Sequence, residues 1–329
     1  MVVPGDGGTV RHAARMLADI ATGLARDGAT AEDVCWRHFD GVPHELATVL
    51  APHLHPPDRS SGVRVVRGLL AELGDPGPTP RQWGEPRSEG ARALDIAILL
   101  TGSVLGRVFG WEGQQDGHLV HDILPSRGFE DSQVGASSLT SLAWHTEDSF
   151  HPGRAALLLL ACVRDQDGIG SRLASIRTAG LSAQQLALLR RREVQILPDD
   201  SYPPLPDGSS RPQLVATVWD ADDGICLRYD PSYSRIPDAG PEFRAAYAAL
   251  GAALDRCGHT VPIGRGDILV IDNDVAVHGR SAFTPRYDGT DRWLKRVLIG
   301  LPRDRPAYEC SETGCGQRQV ESFLVRETP

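Results

Sequence analysis

Trp144-His145-Thr146-Glu147-Asp148-Ser149-Phe150-His151-Pro152 closes an apolar, strand-like run and puts an imidazole and a carboxylate two residues apart. On a β-strand, residues i and i+2 point to the same face, so His145 and Glu147 are placed to grip one ion together. That is half of a metal site. A second histidine far along the chain would complete it. Gly266-Asp267-Ile268-Leu269-Val270-Ile271-Asp272-Asn273-Asp274-Val275-Ala276-Val277-His278-Gly279-Arg280 carries one at the end of another buried-looking strand. Two neutral imidazoles and one carboxylate form the facial triad that holds non-haem Fe(II) while leaving positions open.

Outward from this stretch, short β-like runs alternate with turn residues between about 108 and 165, at 119–124, 139–145 and 155–163. Strands resume at about 213–219, 224–229, 267–272 and 293–301, interrupted by helices at about 181–191, with Ser182 as cap, and 240–256. Between them, residues 198–208 are too rich in Pro and Asp for regular structure, and a polar loop there, about 198–210, is a natural lid over a strand-built pocket. The first third reads as helix over 9–26, a second helix capped by Thr30, loop from 41 to 61, helix over 62–73, a Gly/Pro stretch, and a long apolar helix over about 89–107. Many strands in one block, helices outside it and no βαβ alternation predict an α+β member of the broad mixed α/β class. The expected core is a β-sandwich or jelly-roll barrel (double-stranded β-helix) with flanking helices, whose mouth is ringed by ligands from distant strands. One domain over 1–329 is expected: a mainly helical region to 107, the core over 108–301 and a tail over 302–329.

Composition narrows the function. Hydrophobic residues are 41% and charged residues 23%, ordinary for a globular protein. No run approaches the roughly 18 apolar residues of a spanning helix, and the N-terminus lacks the basic and apolar blocks of a signal peptide, so no membrane partner and a cytoplasmic location are expected. A net charge of −9 argues against nucleic acid. The positive charge is nearly all arginine, with Lys295 the only lysine. The six cysteines are expected reduced; Cys310 and Cys315 are close enough to pair or bind a metal, solvent-side thiols being the plainer reading.

Taken alone, His-x-Glu recurs by chance and His278 says no more. Arg292, fourteen positions after His278 at the entry to another strand, changes the weight of the combination. The planar fork of a buried arginine binds the distal carboxylate of 2-oxoglutarate while the keto acid's other end chelates iron. As a lone residue Arg292 would read as a surface ion pair with Asp288 or Asp291. The order His145-x-Glu147, long gap, His278, Arg292 resembles the iron and 2-oxoglutarate-dependent oxygenases. The surrounding Trp-His-Thr-Glu-Asp-Ser-Phe-His-Pro and Gly-Asp-Ile-Leu-Val-Ile-Asp-Asn are similar to the clavaminate synthase-like branch, and within it to bacterial free amino acid hydroxylases of peptide-antibiotic pathways. The likeness runs from about residue 105 to 301.

The resemblance implies His145, Glu147 and His278 as iron ligands and Arg292 as the 2-oxoglutarate arginine, with Ser171 as its hydroxyl partner. It implies Gln114 at the substrate's α-amino and carboxylate end, Arg296 at the carboxylate, and Glu147 close to the amino group. On a strand, 292 and 296 share a face. Asp199 and Ser201 fall in the lid, where relatives contact substrate. Asp230 matches one of two aspartates that hold a guanidinium, and Ser232 replaces the second. Loss of that charge weakens a cation site, so citrulline's ureido group stands beside arginine and lysine. Asp148, on the opposite face, and His151, past the strand end, drop out. The implied activity is hydroxylation, at Cβ or Cγ, of a free L-amino acid with a long polar side chain, arginine or citrulline, in secondary metabolism, with O2 consumed and succinate and CO2 released. From the residues alone, a zinc-dependent hydrolase on the same ligands and a non-catalytic small-acid-binding barrel stay open. A monomer or homodimer is expected.

Overall fold

The computed structural model describes residues 7–35, 42–203 and 212–322. Helices α1 (Gly7–Arg26), α2 (Ala31–Asp33) and α3 (His44–Leu50) precede strand β1 (Val63–Val66), helix α4 (Glu89–Leu105), and strands β2 (Arg107–Trp111), β3 (His121–Ile123), β4 (Leu142–His145), β5 (Leu157–Arg164) and β6 (Ser171–Ser175). Helix α5 (Ala183–Leu189), β7 (Arg192–Ile196), β8 (Val215–Ala216), β9 (Val218–Ala221), β10 (Gly224–Leu227), β11 (Ser234–Arg235) and helix α6 (Pro241–Cys257) follow. The chain ends with β12 (His259–Val261), β13 (Ile268–Asp272), β14 (Ala276–Arg280), β15 (Trp293–Gly300) and β16 (Gln319–Glu321). The structure is a mixed helix and sheet architecture whose strand pairings are antiparallel.

The larger sheet runs β1-β13-β5-β15-β2-β16, with β3 also on β15; the smaller runs β12-β6-β14-β4. Strand β5, Leu-Leu-Leu-Leu-Ala-Cys-Val-Arg, shows why its run is apolar without alternation. Leu157, Leu159, Ala161 and Val163 join a core with α1 and α4, while Leu158, Leu160 and Cys162 join a second core with Leu173 and Val277 of the smaller sheet. Successive residues face opposite sides, and both sides are dry. Strand β15 is two-faced in the same way. Lys295, fully buried, turns to the helix side, where its Nζ lies 2.8 Å from Asp95 Oδ1 and 2.5 Å from Asp122 Oδ1; Arg87 also pairs with Asp95.

Several sequence expectations hold: α1, α4, α6 and the Ser182-capped α5, closed by Gln185 as a capping box. Two do not. Residues 62–73, expected as helix, contain β1 instead, because Val63, Val65 and Val66 pair with β13 at the sheet edge, bracketed by Gly62 and Gly68 at φ +69° and +68°. The expected loop at 41–61 contains α3, which buries Leu46, Ala47 and Leu50. The tail also contributes β16 to the larger sheet. Of the expected lid, 204–210 lies outside the described residues, as does 323–329 of the tail. Among the described residues no helix is long and apolar enough to cross a membrane, and the six cysteines are free.

Candidate metal centre and its cavity

The two histidines meet because β4 and β14 are paired with His145 opposite His278, their ring centroids 4.1 Å apart. Glu147 arrives differently from the sequence expectation. β4 stops at His145, and Glu147 lies in the turn beyond, ahead of Asp148 at φ +49°. Strand alternation therefore does not set its position; Asn273 does. This fully buried amide accepts from the Glu147 backbone N–H (2.7 Å) and donates to the Glu147 and Ala155 carbonyls (both 3.0 Å). His145, Glu147 and His278 each offer one ligand atom, all within 4.8 Å of one another.

The protonation states suit a cation. His145 Nδ1 lies 2.9 Å from the Ala143 carbonyl, which can only accept, so Nδ1 carries a hydrogen and Nε2 is left as the ligand atom. Burial, then the neighbouring His145, pushes His278 down to about 4, so it is neutral at pH 7. Burial alone would raise the Glu147 carboxyl, but Arg296, with His278 and His145, outweighs it and holds it well below the usual carboxylate range. Its Oε2 lies 3.2 Å from His278 Nε2 while Oε1 pairs with Arg296. Two imidazoles and an ionised carboxylate at this spacing fit a divalent ion of borderline hardness.

A cavity of about 230 Å³ opens beside the triad. Arg292, just before β15, lines it together with Leu294 and Arg296 in the alternation of that strand. Its Nη2 donates to the Gly170 carbonyl (3.0 Å) and Ser171 Oγ (3.4 Å), its Nε is buried without a partner, and no carboxylate of the described residues lies within 4.0 Å. Burial lowers its pKa accordingly. A buried guanidinium without a counter-charge is costly unless an anion completes it. The sequence-based alternative, an ion pair with Asp288 or Asp291, does not form: Asp291 instead accepts from the Arg286 and Tyr287 backbone N–H groups.

Arg296 is held by Glu147, by Gln114 Oε1 (2.5 Å) and by His121 Nδ1 (2.5 Å). Gln114 in turn donates to Ser201 Oγ (2.9 Å), which donates to Asp199 Oδ1 (2.5 Å). Asp199 and Asp230 line the same cavity, half-buried. Each accepts from a local turn, Asp199 from the Ser201 backbone N–H and Asp230 from those of Ser232 and Tyr233. Neither has an Arg, Lys or His nitrogen of the described residues within 4.0 Å. Burial, opposed in part by His145, pushes Asp230 up to about 6, and burial raises Asp199 as well.

The structure thus gathers His145, Glu147, His278, Ser171, Arg292, Arg296, Gln114, Asp199, Ser201 and Asp230 around one cavity. It does not bring Ser232 there: that residue is exposed, its backbone spent on the turn that Asp230 caps. Asp148 stays outside the cavity, bound to Trp111 Nε1 (2.7 Å) and Tyr202 OH (2.6 Å), and His151 packs against the Trp111 ring. Asn273 and His121 were missed in sequence. Asn273 stands in the quoted Asp-Asn-Asp stretch without a side-chain signal, and His121 looks like one more strand residue.

The model of the taurine catabolism dioxygenase TauD, TfdA family matches residues 101–298. The chain is 35% identical over 301 residues to the enduracididine beta-hydroxylase of Streptomyces hygroscopicus, covering 84% of this chain and 87% of that one. It is 32% identical over 281 residues to the L-ornithine/L-arginine 3-hydroxylase of Catenulispora acidiphila, covering 78% and 81%. The non-heme iron oxygenase OrfP, solved with Fe and alpha-ketoglutaric acid, superposes with a TM-score of 0.70 at 33% identity, covering 89% of this chain and 92% of that one. This chain belongs to the TauD, TfdA dioxygenase family. It is an Fe(II)- and 2-oxoglutarate-dependent oxygenase, which displaces the hydrolase and non-catalytic alternatives.

Proposed function

We propose that the enzyme hydroxylates a free L-amino acid with a long cationic side chain, arginine foremost, at Cβ or Cγ, in a secondary-metabolic pathway such as peptide-antibiotic synthesis. The fold is read as a single domain on a jelly-roll core, the two larger sheets forming its walls. His145, Glu147 and His278 would hold the iron. An Fe(II) held there together with 2-oxoglutarate would supply the O2 activation and the oxidative decarboxylation, to succinate and CO2, that put one oxygen atom into a C–H bond. The chain's own groups do the rest. Arg292, aided by Ser171, receives the distal carboxylate of 2-oxoglutarate, which supplies the counter-charge the guanidinium lacks. Arg296 and Gln114 take the amino acid's carboxylate end, and Glu147 lies close enough to meet its amino group. Asp199, Ser201 and Asp230 receive the side chain while the C–H bond is positioned.

The observation that carries the substrate class is the pair of carboxylates without a cation, Asp199 and Asp230, in the cavity that also holds Arg296. A zwitterion with a positive side chain satisfies all three at once. Because Ser232 is exposed and off the cavity, its replacement of an aspartate argues less for a neutral ureido group than the sequence alone suggests. The relatives act accordingly: one is named for arginine and ornithine, and OrfP has been solved with (3S)-hydroxy-L-Arg. The test is a panel of free L-arginine, citrulline, lysine, histidine and asparagine with Fe(II) and 2-oxoglutarate, read by mass for a one-oxygen gain. Arginine should lead; citrulline turning over about tenfold better would overturn the cationic reading, and no substrate-dependent succinate from any would overturn the function.

A further inference from the structure

His121 does not touch the metal ligands, yet it is 1% exposed and in direct contact with Arg296. Strand pairing puts it there: β3 lies against β15 with His121 opposite Arg296 and Asp122 opposite Lys295. Both faces lock this register. On the helix side Asp122 binds Lys295 and Trp293 Nε1 (2.7 Å). Along the edge, the Gln115 amide clamps the Asp122 backbone twice, accepting from its N–H and donating to its carbonyl, each at 2.9 Å.

The tautomer follows from the partners. His121 Nε2 lies 2.8 Å from the His118 carbonyl, which can only accept, so Nε2 carries the hydrogen and Nδ1 is bare. Nδ1 therefore accepts from Arg296 Nη2 at 2.5 Å. The two hydrogens of Nη2 are then spent on His121 and Gln114, Nη1 gives one to Glu147, and Nε stays buried without a partner. His121 thus orients the guanidinium and adds no negative charge to it. Burial and the adjacent Arg296 keep the ring neutral, pushing it down to about 3. A carboxylate at this position would hold Arg296 as firmly but would set a second anion beside it, next to Glu147, and repel an incoming acid.

We infer that His121 is a positioning residue for substrate binding, a neutral acceptor that aims Arg296 at the amino acid's carboxylate without adding a second anion to the one Glu147 supplies. This rests on the reading that Arg296 receives that carboxylate. The experiment compares His121→Gln, His121→Phe and His121→Asp with Arg296→Gln, measuring kcat, the KM for L-arginine and the binding of 2-oxoglutarate separately. Phe, which loses one hydrogen bond to a charged donor, should raise the KM for the amino acid about 10- to 100-fold. Asp should raise it at least as much despite restoring a hydrogen bond, and Gln, a neutral acceptor, should recover most of the loss. Affinity for 2-oxoglutarate should stay within about threefold in all three, which a general packing defect would not spare. On the Arg296→Gln background, His121→Phe should have no further effect on the KM. An Asp variant as good as Gln, or a Phe variant with unchanged KM, overturns the inference. Should Asp fail to fold, the Phe and Gln comparison decides alone. If Arg296→Gln itself leaves the KM unchanged, it is the assignment of Arg296 that fails.

Discussion

With Arg292 assigned to 2-oxoglutarate as proposed, Arg292→Met separates what the protein needs to fold from what it needs to bind its co-substrate. The guanidinium is buried, makes one hydrogen bond of full strength to the Gly170 carbonyl at 3.0 Å and one weaker contact to Ser171 at 3.4 Å, and has no counter-charge among the described residues. Hydrogen bonds from a charged donor return about 1.5–3 kcal/mol each. Desolvating an unpaired ion costs several kcal/mol, which offsets them. Methionine, apolar and of similar reach, should therefore leave the metal-free fold within about 1 kcal/mol of wild type, or above it, a change of no more than about 2–4 °C in Tm. The same substitution removes a two-pronged, charge-assisted contact to a carboxylate, about 3–4 kcal/mol, so the Kd for 2-oxoglutarate should rise about 10²- to 10³-fold. The assay pairs thermal unfolding of metal-free protein with anaerobic calorimetric titration of 2-oxoglutarate into the Fe(II) form. A variant destabilised by more than about 2 kcal/mol, or one that binds 2-oxoglutarate within about threefold of wild type, would refute the reasoning.

Asn273→Ala strips the Glu147 loop of three hydrogen bonds and leaves buried main-chain groups unsatisfied, so denaturant unfolding should show a loss of about 3 kcal/mol or more, together with weaker metal binding by equilibrium titration. Asp230→Asn should lower kcat/KM for arginine about 10- to 100-fold and that for citrulline much less, since it removes charge and keeps shape; equal losses would count against a cation at this carboxylate. The Glu32–His118 pair, 3.0 Å apart, ties α2 to the segment leading into β3. Burial opposes ionisation of Glu32, but the His118 hydrogen bond and charge outweigh it and lower the carboxyl from 4.5 to about 2, so its contribution is present above about 4.5 and fades as the pH falls towards 2. His118 is raised above 6.5 by its hydrogen bond to Glu32, so its contribution is full below 6.5 and is lost as the pH rises through the raised value. The Tm gap between wild type and His118→Gln should be widest between about pH 4.5 and 6.5 and narrow by pH 9; a gap that is constant or widens above pH 7 contradicts the pairing.

The clustering of His145, Glu147 and His278 beside two arginines was readable in sequence because each is a residue type with few other uses at that place: a histidine and a carboxylate two residues apart, a histidine ending an apolar strand, and arginines opening the next. What could not be read was anything decided by a partner far along the chain. Val63 to Val66 stand in a segment with helical spacing, and only β13, about 200 residues away, makes them a strand. Glu147 was right as a group and wrong as a mechanism, since its place comes from Asn273 rather than from a strand face. His121 carries no local mark of its contact with Arg296, because the register of β3 on β15 exists only once the sheet has formed. Ser232 shows the reverse error, a position read as a pocket residue that the turn capped by Asp230 keeps outside.

The burial of Lys295 also gives this protein an internal clock for unfolding. It is the chain's only lysine, and its ammonium is sealed between Asp95 and Asp122 behind the larger sheet. Reagents that acylate lysine find none on the native surface, so a mass increment at Lys295 after a short pulse counts molecules whose β15 has come away from α4. A single unmodified residue thereby reports how often the strand that carries Arg296 leaves its place.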